Sequence, residues 1–109
     1  MQFLMLYTPD SKQPACDQDM AQMQQFIERS RAAGELLATG GLFANPTRIR
    51  RNDGNYTVVD GPYAESKEVI AGFALMELAS EVAALDAAHR FLAIAGNGVS
   101  EIHRIAGGN

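Results

Sequence analysis

A single cysteine in 109 residues excludes an internal disulfide framework. Cys16 fits a reducing compartment, and the neighbouring Asp17 disfavours its thiolate, so it reads as an incidental thiol rather than a nucleophile. Long apolar runs are missing too. The opening "MQFLMLYTPD" has no basic leader region, and its apolar part is too short for a signal peptide or a membrane span. A soluble cytoplasmic protein is expected. Positive charge is scarce: nine Lys and Arg stand against thirteen Asp and Glu, a net charge of −4. That balance argues against nucleic acid and membrane surfaces as partners. The one basic cluster is Arg48, Arg50 and Arg51, where Arg48 and Arg50 alternate along a strand and read as protection of its edge.

Histidines are few and separated. His89 and His103 fall on different predicted elements, with no His/Cys/Asp/Glu pair at ligand spacing around either, so no metal site is expected. "ATGGLF" lacks the spacing and the lysine of a phosphate-binding loop, and no Gly-x-Ser-x-Gly elbow occurs. No cofactor is expected either.

What is present is a chain of one-domain length, residues 1–109, with 47% hydrophobic residues. "FLMLYT" (3–8) predicts a buried strand stopped by Pro9. A helix follows, with Met20, Met23, Ile27 and Ser30 on one face, Phe26 beside it and Gly34 as its stop. "ELLATGGLF" predicts a second strand with a bulge or bend at Gly40–Gly41. "TRIRR" and "YTVVD" flank Asp53-Gly54, a type I′ hairpin signal that pairs Arg51 with Tyr56, Ile49 with Val58 and Thr47 with Asp60. Asp60 thereby falls on the more apolar side of its strand, an unusual place for a carboxylate. A strand over 69–78 comes next. A helix capped by Ser80 then runs through Val82, Leu85, Leu92 and the alanines to Gly96, and "VSEIHRI" is the last strand.

The order β-α-β, hairpin, β-α-β predicts an α+β fold, a ferredoxin-like sandwich with an inserted β-hairpin. Its strands are apolar on both faces: Leu4 and Leu6 against Phe3, Met5 and Tyr7, and Ile70, Met76 and Leu78 against Phe73 and Leu75. Two helices cover one face only. The other would carry about four large apolar side chains, each worth roughly 1.5–3 kcal/mol on burial, a sum comparable to a small domain's whole stability. A two-fold homodimer, sheet on sheet, is the economical cover.

Chemistry is sparse. His89, in line with Val82 and Leu85, reads as a boundary residue. His103 shares a strand face with Glu101, whose carboxylate favours the imidazolium; an ordinary cross-strand polar pair is the plainer reading. "DGPYAESKE" is a better candidate. Pro62 prevents a tight turn after Asp60-Gly61, which leaves a wide loop bearing Tyr63, Glu65, Ser66, Lys67 and Glu68. Asp60 either caps that turn through its own backbone or belongs to a site.

"VVDGPYAESKEVIAGFAL" resembles the signature of the DGPF-domain branch of the YCII-related proteins. Asp60, Gly61, Pro62, Ala64, Glu65, Lys67, Glu68, Gly72 and Phe73 match, and Tyr63 stands where Phe is typical. "AAGELLATGGL" and the first and last strands extend the likeness along nearly the whole chain. The resemblance implies a dimeric α+β barrel with a cleft where sheet and loop meet. It implies little about activity. The helical histidine of a His–Asp pair ascribed to YCII relatives has no counterpart, because residues 18–33 contain no histidine. His103 replaces an arginine usual in the closing strand of the branch, and DGPF-type proteins are associated with extracytoplasmic-function sigma factors. The expectation is a homodimer binding a small polar or anionic molecule near Asp60. Tyr7, Tyr63, Glu65, Lys67 and His103 are the candidate lining residues, and Asp60 and His103 the candidate catalytic groups. The alternative is a non-catalytic regulatory or scaffolding dimer; cofactor-independent oxygenation rests on fold analogy alone.

Overall fold

The computed structural model describes residues 1–10, 17–44, 46–60 and 69–107, without the side chains of residues 17, 18, 59 and 60. Its elements run β1 (Gln2–Pro9), α1 (Asp17–Ala32), β2 (Leu36–Gly41), β3 (Thr47–Asn52), β4 (Asn55–Asp60), β5 (Gly72–Glu77), α2 (Glu81–Ala95) and β6 (Gly98–Arg104). The main sheet is antiparallel with strand order β2-β5-β1-β6. Each strand–helix–strand unit therefore brackets one strand of the other unit. This mixed α+β arrangement, a four-stranded antiparallel sheet with two helices, is consistent with a ferredoxin-like fold.

Local chemistry accounts for the helix ends. The Ser80 hydroxyl accepts a hydrogen bond from the Ala83 amide at 3.1 Å and starts α2. At its other end Gly96, at φ 100°, donates its amide to the Leu92 carbonyl. α1 ends in a Schellman pair, with Glu35 N–H donating to the Ser30 carbonyl and Gly34 N–H to that of Arg31. Gly34 sits at φ 76°, which a side chain would resist.

Phe3, Met5, Leu36, Met76 and Leu78 form the core with Ala84 and Ala87, and Ile27 packs against it from α1. α2 turns a different face inward from the one the sequence suggests. Its buried residues are Ala84, Ala87 and Ala88, while Val82 and Leu85 stay exposed. Small side chains let the helix approach closely over Phe3 and Met76, and that closeness outweighs hydrophobicity per residue.

Two strand details also differ. The irregularity in β2 lies at Leu37, between the Leu36 and Ala38 pairings, instead of at Gly40–Gly41. Gly40 serves another purpose: a Cβ there would stand 3.0 Å from the Phe73 ring. β5 starts at Gly72, later than the expected 69, although Ala71 N–H still donates to the Tyr7 carbonyl at 2.7 Å.

β3 and β4 pair in the expected register, turned by Asp53 (φ 52°) and Gly54 (φ 84°). They form a separate two-stranded sheet and join no strand of the main one. No helix among the described residues is long and apolar enough to cross a membrane.

Candidate functional site

Pairing register sorts the main sheet into two faces, since directly opposed residues point the same way. On the helix-covered face, one end row is Leu36, Met76 and Phe3, all buried. The middle row is Thr39, Ala74, Met5 and Ile102. The far row is Gly41, Gly72, Tyr7 and Ser100. Side-chain volume thus falls away from a filled core toward a row with two glycines and a serine. The consequence is a cavity of about 170 Å³ between sheet and helices, walled by Met5, Tyr7, Thr39, Ala74 and Ser100 from the sheet and by Met23, Ile27 and Phe91 from the helices.

Tyr7 is the polar group this cavity is built around. Its ring meets Phe91 edge-on, at 5.1 Å between centroids and 82° between planes. Its hydroxyl donates a long 3.5 Å hydrogen bond to the Ala95 carbonyl at the end of α2. Behind it lies Gly98, where a Cβ would fall 2.9 Å from a Tyr7 ring carbon and 2.6 Å from the Thr8 carbonyl oxygen. Only glycine leaves room for the ring there. Burial chiefly, and the Asp10 carboxylate in addition, raise the Tyr7 phenol above its ordinary pKa. The phenol is therefore a neutral hydroxyl at physiological pH; with its proton directed at Ala95, its oxygen is left to accept from a bound molecule. The Thr39 hydroxyl already donates to the Phe73 carbonyl at 2.8 Å, which leaves its oxygen to accept. Among the described residues, no charged side chain lines this cavity.

A larger groove of about 420 Å³ lies between the helices, with Arg29, Glu35 and Arg90 among its lining residues. Arg90 is engaged there, bonded to Asp86 at 3.1 Å and lying over the Phe26 ring at 5.8 Å. Charges of both signs and an occupied arginine make this a solvated helix–helix groove. The inner cavity, apolar with a few convergent hydroxyls, has the character of a ligand site.

The sequence-predicted site residues separate. Tyr7 faces the cavity. His103 is paired with Leu4, and so points from the opposite face of the sheet. There its Nε2 lies 2.6 Å from Glu101 Oε2, the strand-neighbour pair the sequence anticipates, with both side chains largely exposed. Tyr7 and His103 therefore share no cleft within one chain, because three positions along β1 invert the face. Asp60 closes β4 opposite Thr47, but its side chain, with Tyr63, Glu65 and Lys67, lies outside the described residues, as does Cys16. Among the described residues no group of three or more His, Cys, Asp or Glu could hold a metal. Sequence reasoning missed Thr39, Phe91 and Ser100. Strand register is the only signal for Thr39 and Ser100, and Phe91 on α2 carries none beyond its contact with the Tyr7 ring.

A solved structure covers nearly all of the chain. The 5-chloro-2-hydroxyhydroquinone dehydrochlorinase of Burkholderia phenoliruptrix AC1100, in complex with 2,5-dihydroxybenzoquinone, matches with a TM-score of 0.51 and 15% identity, over 99% of this chain and 96% of that one. At that identity the likeness establishes a shared fold. No curated protein matches the chain at a significant level. The YCII-related domain family matches residues 1–106, and the chain is a member of that family.

Proposed function

We propose that this YCII-related protein binds a small, single-ring molecule bearing hydroxyl or carbonyl groups in the cavity beside Tyr7, as a homodimer. The observation that carries the proposal is the cavity's size and lining. About 170 Å³ suits one six-membered ring, since an apolar protein cavity of roughly 150 Å³ takes up benzene. Met5, Met23 and Phe91 offer soft, polarisable contacts to a ring, while Tyr7, Thr39 and Ser100 offer hydroxyls to its substituents. The dehydrochlorinase of the same fold holds a ligand of this class, 2,5-dihydroxybenzoquinone, which supports the reading without carrying it.

Within the proposal the chain belongs to the DGPF branch, on its Asp60-Gly61-Pro62 motif. Tyr63, Glu65 and Lys67 add polar contacts, and Asp60 acts as acceptor or general base if the protein turns over its ligand. The support is connectivity: the chain leaves this motif and three residues after Glu68 forms the cavity wall at Ala71. The dimer covers the face of the sheet that the helices leave open. Leu4, Leu6, Phe73 and Leu75 line that face, with Val99 and the Glu101–His103 pair toward its β6 edge. His103 then belongs to the interface, and Tyr7 to the site.

Titration with hydroquinone, followed by calorimetry, tests the proposal. Binding is expected in the wild type. Tyr7→Phe should weaken it about tenfold, the loss of roughly 1.4 kcal/mol carried by one hydrogen bond. Ser100→Leu, which fills the cavity, should abolish it. Absence of binding in the wild type would leave the regulatory or scaffolding dimer as the better reading.

A further inference from the structure

The β3–β4 hairpin is unusually bare for part of a folded domain. Every residue of β3 is exposed, as are Asn55–Val58 of β4. On one face of the ribbon Ile49 is paired with Val58 and Arg51 with Tyr56, and Ile49, Tyr56 and Val58 are 68%, 67% and 61% exposed. A two-stranded ribbon is by itself marginal in water. The whole molecule shows the same extension: its radius of gyration is 16.0 Å, against about 13 Å for a compact chain of this length.

From these observations we infer that the hairpin is an arm whose Ile49–Tyr56–Val58 face packs against a second copy of this chain, within the same two-fold dimer proposed above. The inference rests on that dimer and extends it. Three features favour a second copy as the occupant. The first is area. A four-stranded sheet face spans about 19 Å across and about 20 Å along, roughly 400 Å². A stable interface buries on the order of 800 Å² of accessible surface from each partner, and the arm adds apolar area of the right kind to what this footprint supplies.

Continuity is the second feature. β2 leads into the arm through Leu42 and Phe43, which are 44% and 99% exposed, so apolar surface runs from the sheet edge to the ribbon. The third is charge. Residues 47–60 carry three arginines and two aspartates, a net +1 on a chain of net −4, and the remainder therefore carries −5. A basic arm is attracted to the acidic body of a second copy, and two-fold symmetry makes both contacts at once.

Isotope-filtered NMR on a mixture of labelled and unlabelled full-length chains tests the inference. Intermolecular contacts from the Ile49 and Val58 methyls are expected, along with contacts from Leu4 and Leu6. Contacts from Leu4 and Leu6 alone would overturn the arm and leave the dimer standing. No intermolecular contact, together with an 11.8 kDa mass by sedimentation, would overturn both. The triple variant Ile49→Thr, Tyr56→Thr and Val58→Thr keeps β-forming side chains on the ribbon. It should raise the dimer dissociation constant at least tenfold, and an unchanged constant would contradict the inference.

Discussion

Tyr7 holds its place through three neighbours that each do something different: Phe91 sets the ring plane, the Ala95 carbonyl accepts a hydrogen bond from the hydroxyl, and Gly98 stays out of the way. Gly98→Ala is accordingly expected to force either Tyr7 or the Thr8 backbone to shift. The cost should be about 1–3 kcal/mol of stability, read from denaturant unfolding. The raised phenol pKa has a consequence with a definite sign. Because the folded state favours the protonated form, this contribution is complete below the ordinary phenol value near ~10 and is lost as pH rises through the folded value. Comparing unfolding free energies of wild type and Tyr7→Phe isolates it. The wild type should lose stability faster than the variant above about pH 10, and parallel curves would contradict the assignment of Tyr7 as a half-buried, neutral hydroxyl.

At the scale of elements, some features are written in local sequence and others are not. The hairpin register was legible because Asp53-Gly54 dictates the turn, and alternation then fixes every pair back to Thr47 and Asp60. The start of α2 was legible from Ser80 alone, and Ser80→Ala should cost about 1 kcal/mol in thermal or denaturant unfolding. The inward face of α2 was not legible. Val82 and Leu85 carry the stronger hydrophobic signal, but Ala84, Ala87 and Ala88 make the contact, because the available depth over Phe3 suits small side chains. The cavity was illegible for a related reason. Gly41, Gly72, Tyr7 and Ser100 come from four strands, and only their cross-strand pairing makes them one row. That Tyr7 and His103 lie on opposite faces was illegible for the same reason, since the register that sets their faces is tertiary.

For the whole molecule, the two-sided apolar strands were the most informative sequence signal. The helices cover Phe3, Met5 and Met76, and the opposite face retains Leu4, Leu6, Phe73 and Leu75. In the proposed dimer a charge placed at the centre of that face would be buried unpaired. Leu6→Asp should therefore convert a dimer to a monomer at micromolar concentration, seen by sedimentation, while Tyr7, on the other face, stays in place. A wild type that sediments as a monomer would remove the two-fold assembly and with it the arm.

The central claim is that the hollow end of the sheet–helix layer is where a ligand sits, and the methionine methyls report on it directly. Met5 and Met23 line the cavity, whereas Met1 and Met20 are exposed away from it. With methyl-labelled methionine, addition of hydroquinone should shift the Met5 and Met23 resonances in a saturable way and leave Met1 and Met20 unmoved. Saturable shifts confined to methyls outside the cavity, or none at all, would contradict the account.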